Sequence, residues 1–206
     1  GIFQRRGYFS LGLVAARKGD TSQALGLFEQ GLAQGGNDLL ENRLRRNVAH
    51  SLVNLGLWER AIVEAERCVK WAAQAGDSLE LAKSIRLLVW PLASQRRFEE
   101  AESALLRALR VYQEEHLIFD QISVYNDLAE LCRLTNRPQE ALQHVERALA
   151  LPGAEDSPNL QLILETKADC YIWLNEFALA RDNLLLALER NVLRYLAIEQ
   201  RVLYKL

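Results

Sequence analysis

Residue types that mark several protein classes are scarce in this chain. Its 206 residues include no methionine, three cysteines, four prolines and 11 glycines. Cys68, Cys132 and Cys170 are far apart and form no C-x-x-C pair, which argues against a disulfide framework and against a zinc site. We therefore expect three reduced, buried thiols. Because the chain has no methionine and opens directly on a helical pattern, we also expect it to be a fragment of a larger protein.

Long apolar segments and signal sequences are missing as well. No run reaches the roughly 18 uncharged residues that a membrane-spanning helix needs. The N-terminus has no basic segment followed by an apolar core, which a secretory signal would have. These absences predict a soluble protein of the cytoplasm that makes no contact with a membrane.

Sequence motifs of catalysis, metal binding and nucleotide binding are also absent. The chain has no Gly-rich phosphate loop and no G-x-S-x-G element. His50, His116 and His144 are far apart, without the Glu-x-x-His or His-x-x-x-His spacing of a metal site. We therefore expect no catalytic residue, no metal and no cofactor. A net charge of −2 argues against direct nucleic-acid binding by this segment, which usually requires a strongly basic surface.

Residues that favour α-helices occupy nearly every stretch of the chain. Leucine and alanine are abundant, whereas glycine, proline and the strand-favouring residues are thinly scattered. Half of the residues are hydrophobic, which is enough for a sizeable core. The composition therefore predicts an all-α protein.

One sequence unit recurs five times. Each copy has a short polar turn, an alanine that we call the anchor, and a second small residue seven positions later. The anchors are 37, 40, 40 and 39 residues apart, and such regular spacing is typical of a solenoid. A small or medium apolar residue lies twelve positions before each anchor, where two helices are expected to cross closely. The anchors are Ala24, Ala61, Ala101, Ala141 and Ala180, and the residues twelve positions before them are Gly12, Ala49, Val89, Ala129 and Ala168.

This unit resembles the tetratricopeptide repeat. In the first copy, the segments "LGLVA" and "ALGLF" place Gly12, Ala24 and Phe28 where the family has its characteristic residues. The resemblance covers essentially the whole chain, with repeats of about 40 residues instead of about 34. It implies a right-handed α-solenoid of helix-turn-helix repeats, similar to the long repeats of bacterial regulatory proteins. The expected single domain, 1–206, contains repeats at about 5–38, 42–77, 82–117, 122–155 and 161–192, followed by a terminal helix at 193–206.

Turn residues divide the chain into eleven expected helices. Breaks are expected at "QGGND", "AGDS" and "PGAEDSP", where glycine, proline and aspartate end one helix and cap the next. We predict a single helix over 78–94, kinked at Pro91, because the proline ring removes a backbone donor and clashes with the preceding turn. The last two helices are expected over 177–191 and 193–206.

The first helix of each repeat is expected on the inner, concave wall of the solenoid. On this helix, the residues eighteen, fifteen and eleven positions before the anchor share one face. In the second repeat these are Arg43, Arg46 and His50, whereas Arg45 points elsewhere. The predicted partner-binding residues are Arg6, Phe9, Arg43, Arg46, His50, Lys83, Arg86, Trp90, Asn126, Glu130, Glu165 and Asp169.

Charge is unevenly distributed along the chain. Residues 1–110 contain 16 Lys or Arg against 12 Asp or Glu, and the remainder contains 9 against 15. The wall is therefore expected to be basic and aromatic at one end and acidic at the other, which would orient a partner and speed its encounter. The alternative is that these charges only keep the wall soluble.

The function that these features favour is protein–protein interaction or effector sensing. The groove would bind a peptide, a protein or another domain of the same chain. Resemblance to the repeats of bacterial transcriptional regulators and signalling ATPases implies a regulatory domain of such a protein. Two alternatives stay open: a scaffold that oligomerises or docks within its own chain through the terminal helix, and a small-molecule sensor with a pocket near Trp90 and Pro91.

Overall fold

The computed structural model describes residues 2–203, with side chains through residue 190. Within this range the chain forms α-helices joined by turns, with one 3₁₀ turn at Ala154–Asp156 and no strand, which confirms the predicted all-α fold. None of the described helices is long and apolar enough to cross a membrane. The helices are α1 (Ile2–Arg17), α2 (Thr21–Ala33), α3 (Leu39–Asn54), α4 (Trp58–Ala75), α5 (Ser78–Arg86), α6 (Val89–Ser94), α7 (Phe98–Glu114), α8 (Ile118–Leu134), α9 (Pro138–Leu149), α10 (Leu160–Trp173) and α11 (Phe177–Leu203).

Aspartate side chains begin three of these helices. Asp20, Asp38 and Asp77 each accept a hydrogen bond from the backbone N–H three residues later, at 2.9, 2.9 and 2.8 Å. A cap of this kind stabilises a helix by about 1 kcal/mol. Asp38 and Asp77 belong to "QGGND" and "AGDS", so the helix boundaries predicted at these two segments are confirmed.

The turn between the two helices of each repeat contains one residue in the left-handed backbone conformation. It lies five positions before the anchor alanine in all five repeats, with φ between +60° and +82°. Glycine adopts this conformation without penalty and asparagine tolerates it, whereas the Cβ of an arginine makes it costly. These residues are Gly19, Gly56, Arg96, Asn136 and Asn175. Their recurrence at one repeat position supports the predicted register.

The chain folds into two compact units, residues 1–111 and 112–206. In the first unit, α1 packs against α2, α2 against α3, α3 against α4 and α4 against α5. Phe28, Leu44 and Leu52 are fully buried in its core. At Gly12 on α1, an added Cβ would lie 2.7 Å from Cδ1 of Phe28 on α2. The two helices can therefore approach this closely only because the residue is glycine.

In the second unit, α8 packs against α9, α9 against α10 and α10 against α11. Ile122, Val145 and Ile163 are fully buried in its core, and Ala154 of the 3₁₀ turn closes the same cluster. Each of these helices therefore buries residues against its neighbour in sequence, as repeat proteins do.

The five anchor alanines are all buried, with exposed fractions between 0 and 3%. The residues twelve positions before them are buried as well. The cysteines are free and buried, as predicted. Burial raises the pKa of Cys68 to about 12 and that of Cys170 to about 11, so these thiols stay protonated at neutral pH.

Two predictions about helix boundaries are wrong. The segment 78–94 forms two helices, α5 and α6, separated at Leu87 and Leu88. Pro91 cannot donate to a carbonyl of the preceding turn, and the helix breaks in that turn. By contrast, α11 continues through the predicted end at residue 191, because no glycine or proline stands between Phe177 and Leu203 to end it. Residues 204–206 of the predicted terminal helix, and all side chains after 190, lie outside the described part.

Candidate functional site

Arg45 and Arg46 are neighbours on α3 that bind different carboxylates. Arg45 donates to Glu41 at 2.8 Å and to Glu64 at 2.7 Å. Arg46 donates to both carboxylate oxygens of Glu80, at 3.0 and 3.1 Å. The two guanidinium groups therefore lie in separate surroundings, and each is at least partly neutralised.

Glu80, in the first turn of α5, is only 4% exposed and was not among the predicted site residues. Besides the two bonds from Arg46, its carboxylate accepts one from Nδ2 of Asn42 at 3.2 Å. Nζ of Lys83 lies 3.6 Å from its Oε1. A carboxylate stays ionised when buried only if such partners surround it. Two cations of the predicted basic row are thus paired with one carboxylate.

Arg6 on α1 and Arg43 on α3 are both exposed and lie beside an open cavity. Neither guanidinium has a hydrogen bond or an ion pair among the described residues. The cavity has a volume of about 310 Å³. It is lined by Ile2, Arg6, Asp38, Leu39, Leu40 and Arg43.

Arg5, next to Arg6 in sequence, has the opposite environment. It is 6% exposed, and both of its Nη atoms donate to the Asp38 carboxylate, one of them at 3.2 Å. These bonds, followed by that of the Glu41 backbone N–H, hold the pKa of Asp38 below its usual value. An added Cβ at Gly36 would lie 2.8 Å from Cζ of Arg5. The loop before α3 can therefore approach the guanidinium this closely only because residue 36 is glycine. Asp38 is therefore an ionised wall of the cavity whose charge Arg5 balances.

His50, on the same helix as Arg46, keeps an exposed edge. Burial of the rest of the ring, followed by the nearby charges of Arg86 and Arg46, lowers the pKa of His50. Its Nε2 lies 3.4 Å from Nδ2 of Asn54. The imidazole is therefore neutral at pH 7 and contributes hydrogen-bonding capacity to the predicted row, not positive charge.

The aromatic residues predicted for the wall are more enclosed than the arginines. Phe9 is half-buried, and its ring centroid lies 6.3 Å from that of Phe28, with a tilt of 52° between the rings. Trp90 is half-buried and precedes the buried Pro91. Both aromatic side chains leave only part of their surface for a partner.

In the second unit, Asn126 and Glu165 have hydrogen-bond partners within the fold. Asn126 is 5% exposed, and its Oδ1 accepts a bond of 3.0 Å from the Thr166 hydroxyl. This bond joins α8 to α10. Glu165 is half-buried and accepts a bond of 2.8 Å from Nε2 of Gln161. Asn126 therefore stabilises helix packing, while Glu165 keeps part of its surface.

Asp169 lies among other charges of the second unit. Its pKa is raised by burial and by the nearby carboxylates of Glu130 and Glu165, while the Arg133 guanidinium opposes this shift. Arg133 donates to Glu130 at 2.9 Å. The structure thus places three of the predicted acidic residues close enough to repel one another, with one arginine among them.

The charged and partly exposed aromatic side chains described above could bind charged and apolar groups of a partner. Among the residues with described side chains, no group of three or more His, Cys, Asp or Glu could hold a metal ion. The chemistry that the first unit presents is that of guanidinium groups, which bind carboxylates and phosphates bidentately.

Sequence signals existed for both Glu80 and Arg5. Glu80 lies three positions before Lys83 on the same helix face, one turn before the predicted row. Arg5 lies seven positions before Gly12, on the buried face of α1, whereas Arg6 lies outside that face. Its ionic partner Asp38 depends on how α1 packs against the loop before α3.

The comparisons with known proteins agree with the helical repeats seen in the structure. The tetratricopeptide repeat family matches residues 92–152, which contain α7, α8 and α9. No curated protein matches the chain in sequence.

Several solved structures share the fold. BtubC (BKLC) from P. vanneervenii is 23% identical, with a TM-score of 0.69, over 90% of this chain and 78% of that one. A Rap protein complexed with competence and sporulation factor is 12% identical, with a TM-score of 0.83, over 92% of this chain and 55% of that one. The Rap conjugation gene regulator of the plasmid pLS20, in complex with the Phr* peptide, is 14% identical, with a TM-score of 0.79, over 88% and 52%.

At these identities the likeness concerns the fold, and the chain spans about half the length of the two Rap proteins. The fold and the family match point in the same direction. Residues 92–152 match the tetratricopeptide repeat family, and the chain has the all-α helical-repeat fold of the structures that it resembles.

Proposed function

We propose that the chain is a protein-interaction module that binds a peptide or a protein segment through a basic face of its first unit. Three helices, α1, α3 and α5, contribute to this face. The observation that carries the proposal is that two of its guanidinium groups are exposed and have no acidic partner among the described residues. The basic face consists of Arg6, Arg43, Arg46, His50, Lys83 and Arg86.

The fold supports a binding role. Helical repeats present extended surfaces to which peptides and proteins bind. Two similar structures are those of Rap proteins, one in complex with competence and sporulation factor and the other in complex with the Phr* peptide. An exposed guanidinium without an internal partner is available to a carboxylate of a binding partner, which it would bind bidentately.

The other predicted contact residues remain part of the proposal. Phe9 and Trp90 would pack against apolar side chains of the partner with their exposed parts. In the second unit, Glu130, Glu165 and Asp169 would attract its basic residues, and the buried Asn126 would act only by holding α10 in place.

We further propose that this module regulates a larger bacterial protein of the cytoplasm, a transcriptional regulator or a signalling protein, without a catalytic role of its own. One of the similar structures is named a conjugation gene regulator, and the chain corresponds to 52% of that protein's length. In such a protein the partner can also be another domain of the same chain.

The proposal is tested with a charge reversal on the basic face. Arg6→Glu combined with Arg43→Glu should abolish capture of partners from an extract of the source cell, because both guanidinium groups are replaced by repelling carboxylates. The matched control is Arg107→Glu with Arg110→Glu, which makes the same change in net charge at exposed residues of α7. Partners captured equally by both variants and by the original protein would show that the basic face is not used.

A second candidate function is an oligomerising scaffold. Leu184, Leu185 and Leu188 on α11 are exposed at 43, 57 and 59%, which is unusual for leucines so close together. Analytical ultracentrifugation over a range of concentrations tests this function. A mass that rises with concentration, and that falls to the monomer in Leu185→Asp with Leu188→Asp, would support it; a concentration-independent monomer would rule it out.

A further inference from the structure

We infer that the cavity between α1 and α3 binds one acidic side chain of a partner peptide together with an adjacent apolar side chain. The inference rests on the proposed function, since it assumes that the chain binds peptides, and it names the chemistry that the peptide must carry. The ligand is an Asp or Glu next to a residue such as Leu, Ile or Val. Its carboxylate would lie between Arg6 and Arg43, and its apolar neighbour on Leu39 and Leu40.

The ion pairs of the basic face indicate that the ligand's acidic residue binds at Arg6 and Arg43. Arg46 and Lys83 are both paired with the buried Glu80, so an incoming anion would have to displace a carboxylate that is 4% exposed. His50 is neutral and contributes no positive charge. Arg6 and Arg43 have no such partners, and no bond within the described structure has to break before they bind an anion. An acidic residue of the ligand is therefore stabilised more at Arg6 and Arg43, where no existing ion pair has to be broken.

The cavity also requires an apolar group. Leu39, at the start of α3, is 38% exposed, and Ile2 is 47% exposed. Together with Leu40 they form apolar walls beside the two guanidinium groups. Burying this apolar surface under an aliphatic side chain of the ligand removes it from water and favours binding. The volume of about 310 Å³ is at the lower end for ligand pockets, which suits one or two side chains.

Asp38 favours a carboxylate over a phosphate. Its own carboxylate lies on the wall of the cavity and stays ionised because Arg5 binds it. A phosphate group carries nearly two negative charges at neutral pH, whereas a carboxylate carries one. Repulsion by Asp38, added to the larger cost of removing a dianion from water beside the apolar Leu39 and Leu40, therefore disfavours a phosphopeptide, although Arg6 and Arg43 also attract its charge more strongly.

The experiment is a selection of short random peptides on the immobilised full chain, followed by affinity measurements with the enriched peptides. The selected peptides should share an acidic residue next to an aliphatic one. Replacing that acidic residue with its amide, or replacing both Arg6 and Arg43 with glutamine, should weaken binding roughly tenfold or more, since charged hydrogen bonds are lost. Arg107→Gln with Arg110→Gln should leave the affinity unchanged. A phosphoserine in place of the acidic residue should bind more weakly.

A charge exchange then tests direct contact. The Arg43→Glu variant should lose the selected peptide and should bind a version in which lysine replaces the acidic residue. Peptides that bind without an acidic–aliphatic pair, with affinities that the Arg6 and Arg43 substitutions leave unchanged, would overturn the inference and leave the proposed peptide binding intact. Preferential binding of the phosphoserine version would overturn the choice of a carboxylate. A selection that enriches no peptide would count against both the inference and the proposed function.

Discussion

Nη1 of Arg46 lies 3.0 Å from Oε2 and 3.1 Å from Oε1 of Glu80, and this ion pair joins α3 of the second repeat to α5 of the third. Arg46 is therefore a stabilising residue between repeats as well as a member of the basic face. The same carboxylate binds Asn42 and Lys83, so α3 and α5 are connected through one buried group. The unpaired positive charge of the basic face is consequently concentrated at Arg6 and Arg43.

Replacing Glu80 with glutamine should reduce the free energy of unfolding by about 1–3 kcal/mol. The substitution removes the counter-charge of Arg46 and Lys83 from a buried position while keeping the size of the side chain. Urea denaturation followed by circular dichroism measures the change. The control is Glu100→Gln, which affects an exposed ion pair with Arg97 and should change little. Equal stability of both variants would mean that the Glu80 pairs contribute nothing net.

Two glycines of α1 should respond to alanine in opposite ways. Gly12→Ala should destabilise the protein by about 1–3 kcal/mol, because the new Cβ would overlap the ring of Phe28. Gly7→Ala should stabilise it by up to about 1 kcal/mol, because nothing lies within 4 Å of its Cβ position and alanine favours the helix. Thermal unfolding of the two variants checks both signs, and a neutral Gly12→Ala would contradict the close crossing of α1 and α2.

The left-handed turn at Arg96, with φ at +61°, should prefer glycine. Arg96→Gly should be more stable than Arg96→Ala by about 0.5–1 kcal/mol, because only glycine removes the Cβ that this backbone conformation disfavours. Comparison of the two variants in urea isolates the backbone effect, since both lack the arginine side chain. A more stable alanine variant would argue that the turn relaxes out of this conformation.

Asp38 should make stability depend on pH. The pKa of Asp38 is lowered in the folded state. Its ionised carboxylate therefore contributes to the free energy of unfolding at neutral pH, and this contribution is lost as the pH falls through the folded pKa. Asp38→Asn should cost about 1 kcal/mol at pH 7, where asparagine still caps α3 but loses the charge that Arg5 pairs with. The difference from the original protein should shrink as the pH falls below the ordinary range of an aspartate pKa and through the lowered folded pKa. A pH-independent difference would mean that the charge of Asp38 does not account for the effect.

The three cysteines should resist thiol reagents in the native protein. Burial raises the pKa of Cys68 to about 12, so the reactive thiolate is nearly absent at pH 8. A chromogenic disulfide reagent should therefore detect no thiol in native buffer and three after unfolding in guanidinium chloride. Rapid modification of one thiol in native buffer would reveal a local opening of the helix that carries it.

Some features of the proposed binding surface followed from the sequence and others did not. The spacing of the anchor alanines placed Arg43, Arg46 and His50 on one helix face, since a 3.6-residue period determines which side chains are neighbours. The ionic partners of those residues were not predictable in the same way. Glu80 lies in another repeat, and its contact with Arg46 depends on how α3 and α5 pack.

Some helix boundaries were likewise predictable from the sequence, and others were not. The aspartate caps and glycine turns at "QGGND" and "AGDS" were identified because their chemistry is local. The predicted end of a helix near residue 191 was wrong because no residue there stops a helix, and the expected repeat length alone had suggested it. The separation of α5 from α6 depended on how the turn before Pro91 accommodates the proline ring, and the sequence could place only a kink there.

By itself, the sequence determined the all-α composition, the repeat period and the small residues at the helix crossings, because each depends on properties that a single helix or turn already has. Tertiary structure alone decided which carboxylates neutralise Arg5 and Arg46, and that one of these carboxylates lies within the basic row. Those outcomes arise from contacts between residues about 33 to 38 positions apart. The helical period relates neighbours three or four positions apart, so pairs at such separations form only when the helices pack.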